Sequence, residues 1–191
     1  MARAKYRSVP RIFLCDGDAL ALSNNKLMPI LDYIKENFPE CERVSIYGRA
    51  SDVIKKSDEE MKQLLDAGLT MVYIGANREV TRFLRMYAKE RQGSSLSTVL
   101  RRLKRVECRR LLHLFQDLPG KDGWEEHAIE TGTMITEMEP SYVGLLTLIV
   151  EPNVPMAKDI ESGKLKLLSP EEVMAETLLM LKHTNVTKNV F

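Results

Sequence analysis

Two carboxylates flank a glycine at the point where the first apolar run of the chain stops. The run Arg11–Cys15 is mostly apolar, and Asp16, Gly17 and Asp18 follow it directly. An apolar run that ends in a polar turn predicts a buried strand. Gly17 allows a positive φ or a close approach of the backbone to a ligand. Because α/β folds place their chemistry at the carboxyl ends of strands, Asp16 and Asp18 are expected to contact a ligand rather than only to cap a turn.

A magnesium-dependent phosphatase is one function that this carboxylate pair allows. Asp16, Asp18 and Asp117 are hard ligands of the kind that Mg²⁺ prefers. An apolar strand followed by Asp-x-Asp resembles the start of haloacid-dehalogenase-type phosphatases, in which the first Asp is the nucleophile and the second the acid/base. That chemistry also needs a hydroxyl-ended strand and a positioned Lys, whereas the next strands end in Tyr47-Gly48-Arg49 and Gly75-Ala76-Asn77. We therefore keep this function as the alternative.

Apolar runs and amphipathic segments alternate along the chain. The predicted strands are Arg11–Cys15, Arg43–Tyr47, Thr70–Ile74, Arg110–Phe115 and Tyr142–Val150, the last of them long enough to be central. The predicted helices are Asn24–Phe38, a short turn Ser51–Lys56, the segment capped by Ser57, Arg78–Glu90, Leu96–Val106, Gly123–Glu137, and the segment from Ser169 to His183. Ser57 with Glu60, and Ser169 with Glu172, have the spacing of capping boxes.

This alternation predicts an α/β fold in which helices cover a parallel sheet. Right-handed crossovers then bring the carboxyl ends of all strands to one edge. About five βα units are too few for a closed eight-stranded barrel, so the expectation is an open sheet or a partial TIM-like barrel. We predict a single domain over residues 1–191, with an irregular segment at about 151–168 before the last helix.

Composition excludes several classes of protein. The chain has 191 residues, 28 Lys and Arg against 27 Asp and Glu, and a net charge of +1. No segment approaches the ~20 apolar residues of a membrane span, and the N-terminus does not resemble a signal peptide. Cys15, Cys41 and Cys108 are widely spaced and predict neither a metal site nor a disulfide framework. A cytoplasmic protein without a membrane partner is expected.

Lys and Arg far outnumber Glu between Arg78 and Arg110. Arg101, Lys104 and Arg105 are spaced to share one helix face, which could contact phosphates. No aromatic residues interleave for base stacking. We therefore interpret the stretch as a solvated outer face or as a surface that docks on an acidic partner domain, and a nucleic-acid partner is not expected.

The phrases at the strand ends resemble those of radical S-adenosylmethionine (SAM) proteins, in a bacterial branch similar to iron–sulfur oxidoreductases. The resemblance covers roughly Arg11 to Thr184 and lies in the order of many short phrases. These include Phe13-Leu14-Cys15-Asp16-Gly17-Asp18, Val44-Ser45-Ile46-Tyr47, Ala67-Gly68-Leu69, Val72-Tyr73-Ile74-Gly75, Glu126-His127, Glu130-Thr131, Tyr142-Val143-Gly144 and Leu168-Ser169. It implies a partial (β/α)₆ barrel, of which the five predicted strands are strands two to six.

The resemblance also implies which residues bind the cofactor. Asp16, Gly17 and Asp18 correspond to the motif that meets the amino group of the methionine moiety, and Tyr47 lies near the same moiety. Asn77 stands where the family has a Glu that binds the ribose, and a neutral amide bonds a hydroxyl more weakly than a carboxylate does. Asp117 stands where the family has a glycine in the loop that packs on adenine. No catalytic side chain is assigned.

The family's first strand and its Cys-x₃-Cys-x₂-Cys loop have no counterpart in this sequence. That loop holds the [4Fe–4S] cluster that reductively cleaves SAM to a 5′-deoxyadenosyl radical. The resemblance therefore implies the SAM-binding part of such an enzyme, which is expected not to catalyse by itself and to meet a cluster only if an upstream segment supplies one. A non-catalytic binding or scaffold domain is a further alternative. The expected partners are the cofactor and an unidentified small-molecule substrate, and the oligomeric state is not predicted.

Overall fold

The fold is an α/β arrangement built on one open parallel sheet. The computed structural model describes residues 5–15, 17–75 and 96–186. Among these residues the sheet has five strands in the order β1-β2-β3-β4-β5, so that strands adjacent in the chain are also neighbours in space. In a TIM-like barrel, complete or partial, the spatial order of the strands follows their order in the chain. In a doubly wound sheet the spatial order of the strands reverses partway. The predicted fold class, a partial TIM-like barrel, is confirmed.

The bounds of the elements agree closely with the periodicity of the sequence. The strands are β1 (Arg11–Leu14), β2 (Arg43–Tyr47), β3 (Leu69–Gly75), β4 (Arg109–Phe115) and β5 (Tyr142–Leu146). The α-helices are α1 (Asn24–Asn37), α2 (Ala50–Lys55), α3 (Asp58–Asp66), α4 (Leu96–Arg105), α5 (Trp124–Met138), α6 (Pro155–Glu161) and α7 (Pro170–Lys182), and a 3₁₀ turn covers Ala19–Ala21. The predicted helix Arg78–Glu90 lies outside the described residues.

Two compact units make up the described part of the chain. The first contains residues up to 74 together with 96–111, and the second contains residue 75 together with 112–186. In the first unit, Phe13 is opposite Ser45 in the parallel register of β1 and β2, and Tyr47 is opposite Tyr73 in that of β2 and β3. Residues 46, 72 and 74 are buried apolar side chains of these strands, and the side chains of alternate residues in a strand point to opposite faces of the sheet.

Helix α3 shows how local sequence places an element of the first unit. The Ser57 side chain accepts a hydrogen bond from the Glu60 N–H while Glu60 accepts one from the Ser57 N–H, which is the predicted capping box. Met61 and Leu64 are the buried residues of this helix and face the core.

Helices α5 and α7 pack against each other in the second unit, and a glycine makes their contact possible. A Cβ atom on Gly132 would lie 2.4 Å from the backbone oxygen of Met180 and 3.0 Å from the Cβ of His183. Glycine at position 132 therefore lowers the intrinsic helix propensity of α5 but allows the two helices to pack closely. Helix α7 begins with the second predicted capping box, Ser169 with Glu172, and has Pro170 in its first turn.

Two predicted segments need correction. Strand β5 ends at Leu146 rather than Val150, and it is the last strand in the order of the described sheet rather than a central one. The Leu146 carbonyl accepts the N–H of Gln116, and Asp117 then turns the neighbouring chain away with φ 62°, so residues after Leu146 have no strand to pair with in the described sheet. Within the segment predicted to be irregular, Pro155–Glu161 forms helix α6, because Pro155 suits the first helical position.

No helix among the described residues is long and apolar enough to cross a membrane.

Candidate functional site

The turn after β1 presents the first predicted ligand-binding carboxylate. Gly17 has φ 64°, as its position in the turn predicts. Asp18 follows, with 12% of its side chain exposed, and its Oδ2 accepts a hydrogen bond from Arg49 Nε at 2.6 Å. Arg49 comes from the loop after β2, and this loop passes close to the turn because Gly48 has no side chain. A Cβ on Gly48 would lie 2.5 Å from Leu20 Cδ2.

The two carboxyl oxygens of Asp18 differ in their partners. Oδ1 is buried and has no hydrogen-bond donor among the described residues. A buried acceptor without a donor is costly, so this oxygen marks a place where a donor from outside the described residues would be stabilising. Burial raises the pKa of Asp18, a carboxyl contact with Asp52 raises it further, and Arg49 opposes both.

Asp52, in α2, completes this acidic cluster and was not predicted from the sequence. It is 3% exposed, and its Oδ2 lies 3.6 Å from the same Nε of Arg49 that binds Asp18. Lys55 donates to Asp52 Oδ1 at 3.2 Å. The pKa of Asp52 is lowered, first because the Asp18 carboxyl can donate a proton to it and then because Lys55 and Arg49 stabilise its charge.

Three aromatic rings pack on one another on a single face of β1, β2 and β3. Phe13 lies 4.7 Å from Tyr47 and 4.8 Å from Tyr73, centroid to centroid, with edge-to-face geometry in both pairs. This is the preferred arrangement of aromatic pairs. Tyr47 remains 41% exposed, so the cluster offers an accessible aromatic surface in the same unit as Asp18.

The turn after β4, in the second unit, holds Asp117. Its φ of 62° is in the left-handed region, which Asp tolerates better than most residues other than glycine. Its Oδ1 accepts the N–H of Leu168 at 2.8 Å, and its own N–H donates to Glu176 Oε2 at 2.9 Å. Burial raises the pKa of Asp117 to about 6, although the hydrogen bond from the Leu168 N–H by itself lowers this pKa. One carboxyl oxygen of Asp117 is thus engaged within the unit.

Glu176 connects three parts of the second unit from a fully buried position. Besides the Asp117 N–H, it contacts His127 of α5, with Oε1 2.7 Å from Nδ1. Its exposed fraction is 0% and that of His127 is 1%. A buried carboxyl group is costly unless its oxygens are hydrogen-bonded, and both oxygens of Glu176 have a partner.

The described residues do not fit an iron–sulfur cluster. They contain no group of three or more His, Cys, Asp or Glu side chains that could hold a metal ion. Burial raises the pKa of the Cys108 thiol to about 12, whereas a cluster ligand must be a thiolate. Cys15 is exposed and Cys41 is half-buried. No reaction step through a cluster is therefore assigned to these residues.

The predicted site residues fall into three groups according to where they lie in the structure. Gly17, Asp18 and Tyr47 lie in the first unit, at the turn after β1 and the carboxyl end of β2. Asp117 lies in the second unit with its own partners. Asp16 and Asn77 are outside the described residues. Strands β1 and β2 are adjacent and parallel. Asp18 contacts Arg49, which follows β2 at the edge where the sequence predicted the strand ends to meet, and it lies near Asp52, which the sequence did not predict.

Comparison with known proteins gives one relative in sequence and several in fold. The chain is 27% identical over 175 residues to anaerobilin synthase from Escherichia coli O157:H7, a match that covers 87% of this chain and 38% of that protein. The archaeal Methanocaldococcus infernus Elp3 shares the fold with a TM-score of 0.67 at 15% identity, over 95% of this chain and 46% of that one. No family model matches the chain.

A second solved structure shares the fold to a similar degree. Coproporphyrinogen III oxidase (HemN) from Escherichia coli, described as a radical SAM enzyme, has a TM-score of 0.65 at 16% identity, over 92% of this chain and 39% of that one. The chain thus spans less than half the length of each of these proteins. One of these neighbours in fold is described as a radical SAM enzyme, which agrees with the resemblance to radical SAM proteins seen in the sequence.

Proposed function

We propose that this chain is the S-adenosylmethionine-binding part of a radical SAM protein. The observation that carries the proposal is the Oδ1 atom of Asp18, a buried acceptor with no donor among the described residues, placed after the first strand of a fold shared with radical SAM enzymes. A cationic amine is the donor that best matches a carboxylate oxygen in such a place. The amino group of the methionine moiety is such an amine.

Further cofactor contacts are proposed for other residues, and each unit is considered by itself. Asp16 and Gly17 belong to the turn that carries Asp18, and Tyr47 supplies a 41% exposed aromatic surface beside Phe13 and Tyr73. The resemblance supports a role for Asn77 toward a ribose and, in the second unit, for Asp117 toward an adenine ring. Each of these roles is inferred from the superfamily resemblance.

The chemistry of the whole protein extends this proposal. In radical SAM enzymes a [4Fe–4S] cluster supplies the electron that cleaves SAM reductively. The described residues of this chain orient the cofactor in our proposal and provide no cluster ligands. We propose a cytoplasmic setting and a small-molecule substrate. The magnesium-dependent phosphatase that the sequence also allows would depend on Asp16, which lies outside the described residues.

Equilibrium dialysis of the purified chain with radiolabelled SAM tests the proposal. We expect saturable binding that weakens about tenfold or more in Asp18→Asn, because a charged hydrogen bond contributes about 1.5–3 kcal/mol. Asp32→Asn, which changes an exposed Asp of α1, is the matched control and should bind as the wild type does. Equal affinity of wild type and Asp18→Asn, or no binding by the wild type, would overturn the proposal.

A further inference from the structure

Three aromatic rings remain partly accessible on one face of the sheet in the first unit. The ring centroid of Tyr47 lies 4.7 Å from that of Phe13 and 5.8 Å from that of Tyr73, and both pairs are edge to face. Phe13 and Tyr73 are half-buried, whereas Tyr47 is 41% exposed. On the opposite face of the same strands, Ile46 and Val72 are buried aliphatic side chains. Accessible aromatic surface is therefore confined to one face.

The end of β2, where Tyr47 lies, adjoins the turn that carries Asp18. Gly48 follows Tyr47, and a Cβ atom on Gly48 would lie 2.5 Å from Leu20 Cδ2. Arg49 comes next, and its Nε lies 2.6 Å from Asp18 Oδ2. Consecutive Cα atoms are only about 3.8 Å apart. These two contacts therefore hold the backbone of Tyr47 close to the proposed amine site.

The charged side chains beside this place are paired with one another. Arg49 binds Asp18 through Oδ2, and Lys55 donates to Asp52 Oδ1 at 3.2 Å. The side chain of Arg49 is 65% exposed, so water and its carboxyl partner both screen its charge. Asp18 Oδ1 has no donor among the described residues. The features left to select a ligand in this part of the first unit are that oxygen and the faces of the aromatic rings.

SAM carries two positive charges that need different partners. Its ammonium group donates hydrogen bonds and matches a carboxylate oxygen. Its sulfonium group has neither N–H nor O–H and cannot donate in that way. A charge of this kind, like that of a quaternary ammonium, is stabilised over the face of an aromatic ring. Only three carbon atoms separate the amine nitrogen from the sulfur, so an amine at Asp18 keeps the sulfonium group near the turn after β1 and the end of β2.

We infer that the aromatic ring of Tyr47 receives the sulfonium group of SAM, while Phe13 and Tyr73 hold that ring in place. Tyr47 is the most exposed of the three, so its face is the one that a ligand can reach. The edge-to-face contacts with Phe13 and Tyr73 restrict the orientation of the ring. The contact is electrostatic, and no covalent bond forms or breaks. This inference rests on the proposed binding of SAM at Asp18.

S-adenosylhomocysteine isolates the sulfonium charge, because it keeps the amine, the carboxylate and the adenosine of SAM but contains a neutral thioether. Equilibrium dialysis of the purified chain with each ligand measures the preference. We expect the wild type to bind SAM about threefold or more tightly than S-adenosylhomocysteine. Tyr47→Leu should lose most of this preference, while its affinity for S-adenosylhomocysteine changes less than about twofold. Equal affinity of the wild type for the two ligands, or an undiminished preference in folded Tyr47→Leu, would overturn the inference.

The Tyr47→Phe variant separates the ring from its hydroxyl group. Phenylalanine keeps the aromatic face, so we expect Tyr47→Phe to retain the preference for SAM. A loss of preference as large as that in Tyr47→Leu would assign the effect to the hydroxyl and refute the role of the ring. Tyr33→Leu, at a 61% exposed position of α1, controls for the removal of a surface tyrosine and should show the preference of the wild type.

The same measurements distinguish this inference from the proposed function. If the wild type does not bind SAM, the proposed function has failed. If the wild type binds SAM and S-adenosylhomocysteine equally well, only the inference about Tyr47 has failed. Should Tyr47→Leu not fold, the comparison of the two ligands on the wild type and on Tyr47→Phe decides.

Discussion

Asp117 Oδ1 accepts a hydrogen bond of 2.8 Å from the N–H of Leu168, across 51 residues of sequence. This bond holds the turn after β4 against the segment that leads into α7. Glu176 also contacts this turn, because its Oε2 accepts a hydrogen bond from the Asp117 N–H. A residue whose own φ is 62° is thus fixed from its backbone and from its side chain.

Asp117→Asn should make the protein more stable at neutral and alkaline pH. Because burial raises the pKa of Asp117 from 3.8 to about 6, the folded chain retains this proton where the unfolded chain has lost it. The contribution to stability is fully present below about pH 3.8 and is lost as the pH rises through about 6. Asn accepts from Leu168 without that cost and suits a positive φ.

We expect Asp117→Asn to raise the free energy of unfolding by about 1–3 kcal/mol at pH 8 and to change it little at pH 4. Urea unfolding at the two pH values measures the difference, and Asp122→Asn, at an exposed position in the same loop, serves as the control. A variant less stable than the wild type at pH 8 would contradict the argument.

Removal of the Glu176 side chain should destabilise the protein strongly. In Glu176→Ala, the Asp117 N–H and His127 Nδ1 both lose the buried carboxyl oxygen that each of them contacts. Leaving a buried hydrogen-bonding group without its partner costs about 1–3 kcal/mol, and two such groups lose a partner here. Glu176→Gln keeps one acceptor and the volume, so its loss should be smaller. Thermal unfolding compares both variants with Glu161→Gln, at an exposed position of α6, and equal stability of Glu176→Ala and the wild type would refute this role.

Arg102 of α4 should stabilise the first unit through its contacts with two other helices. It donates to the carbonyls of Val53 and Ile54, at the last turn of α2, and to Asp58 of α3. Carbonyls in the last turn of a helix have no partner within their own helix. Arg102→Ala should therefore lower the free energy of unfolding by about 2–3 kcal/mol.

Arg102→Lys is the matched variant, because it keeps the charge and loses the planar fork that reaches several acceptors. We expect it to recover only part of the stability in urea unfolding. A loss below about 0.5 kcal/mol in Arg102→Ala, the range typical of surface substitutions, would show that this contact contributes little. Part of the basic face predicted from the sequence therefore forms ion pairs within the chain, since Arg105 also pairs with Asp58.

The three cysteines should differ sharply in reactivity. Cys15 is exposed, Cys41 is half-buried and Cys108 is buried with a thiol pKa of about 12. Because the thiolate is the reactive form, iodoacetamide at pH 8 should alkylate Cys15 first and should spare Cys108. Peptide mapping by mass spectrometry measures the order, and guanidinium-unfolded protein is the control in which all three react. Early labelling of Cys108 in the folded protein would contradict its buried position.

Local patterns in the sequence were sufficient for most of the fold. The strand and helix periodicities, the two capping boxes and the positive φ of Gly17 depend on residues within a few positions of one another. Their energies are set by the local backbone, so a single sequence contains them. The order of phrases along the chain also carried the superfamily resemblance, and with it the interest in Asp18, Tyr47 and Asp117.

The length of β5 could not be read locally. Residues 147–150 are as apolar as a strand, but a strand persists only while a neighbour offers hydrogen bonds. Strand β4 ends at Phe115. The hydrogen bond from the Gln116 N–H to the Leu146 carbonyl is therefore the last one between the two chains, and β5 ends there too. Helix α6 was missed for a related reason, because a Pro that interrupts one segment can equally begin the next.

Only the tertiary structure revealed which charged residues are buried and paired. Asp52 and Glu176 look like ordinary helix-surface acids in the sequence, yet they are 3% and 0% exposed. Their importance comes from residues such as Asp18 and His127, which approach them from other elements of the chain. The sequence by itself determined the elements and the residue types at the strand ends. The fold decided which acids lose water and gain an ion pair or a hydrogen bond, because burial and charge pairing depend on distances that a linear pattern does not contain.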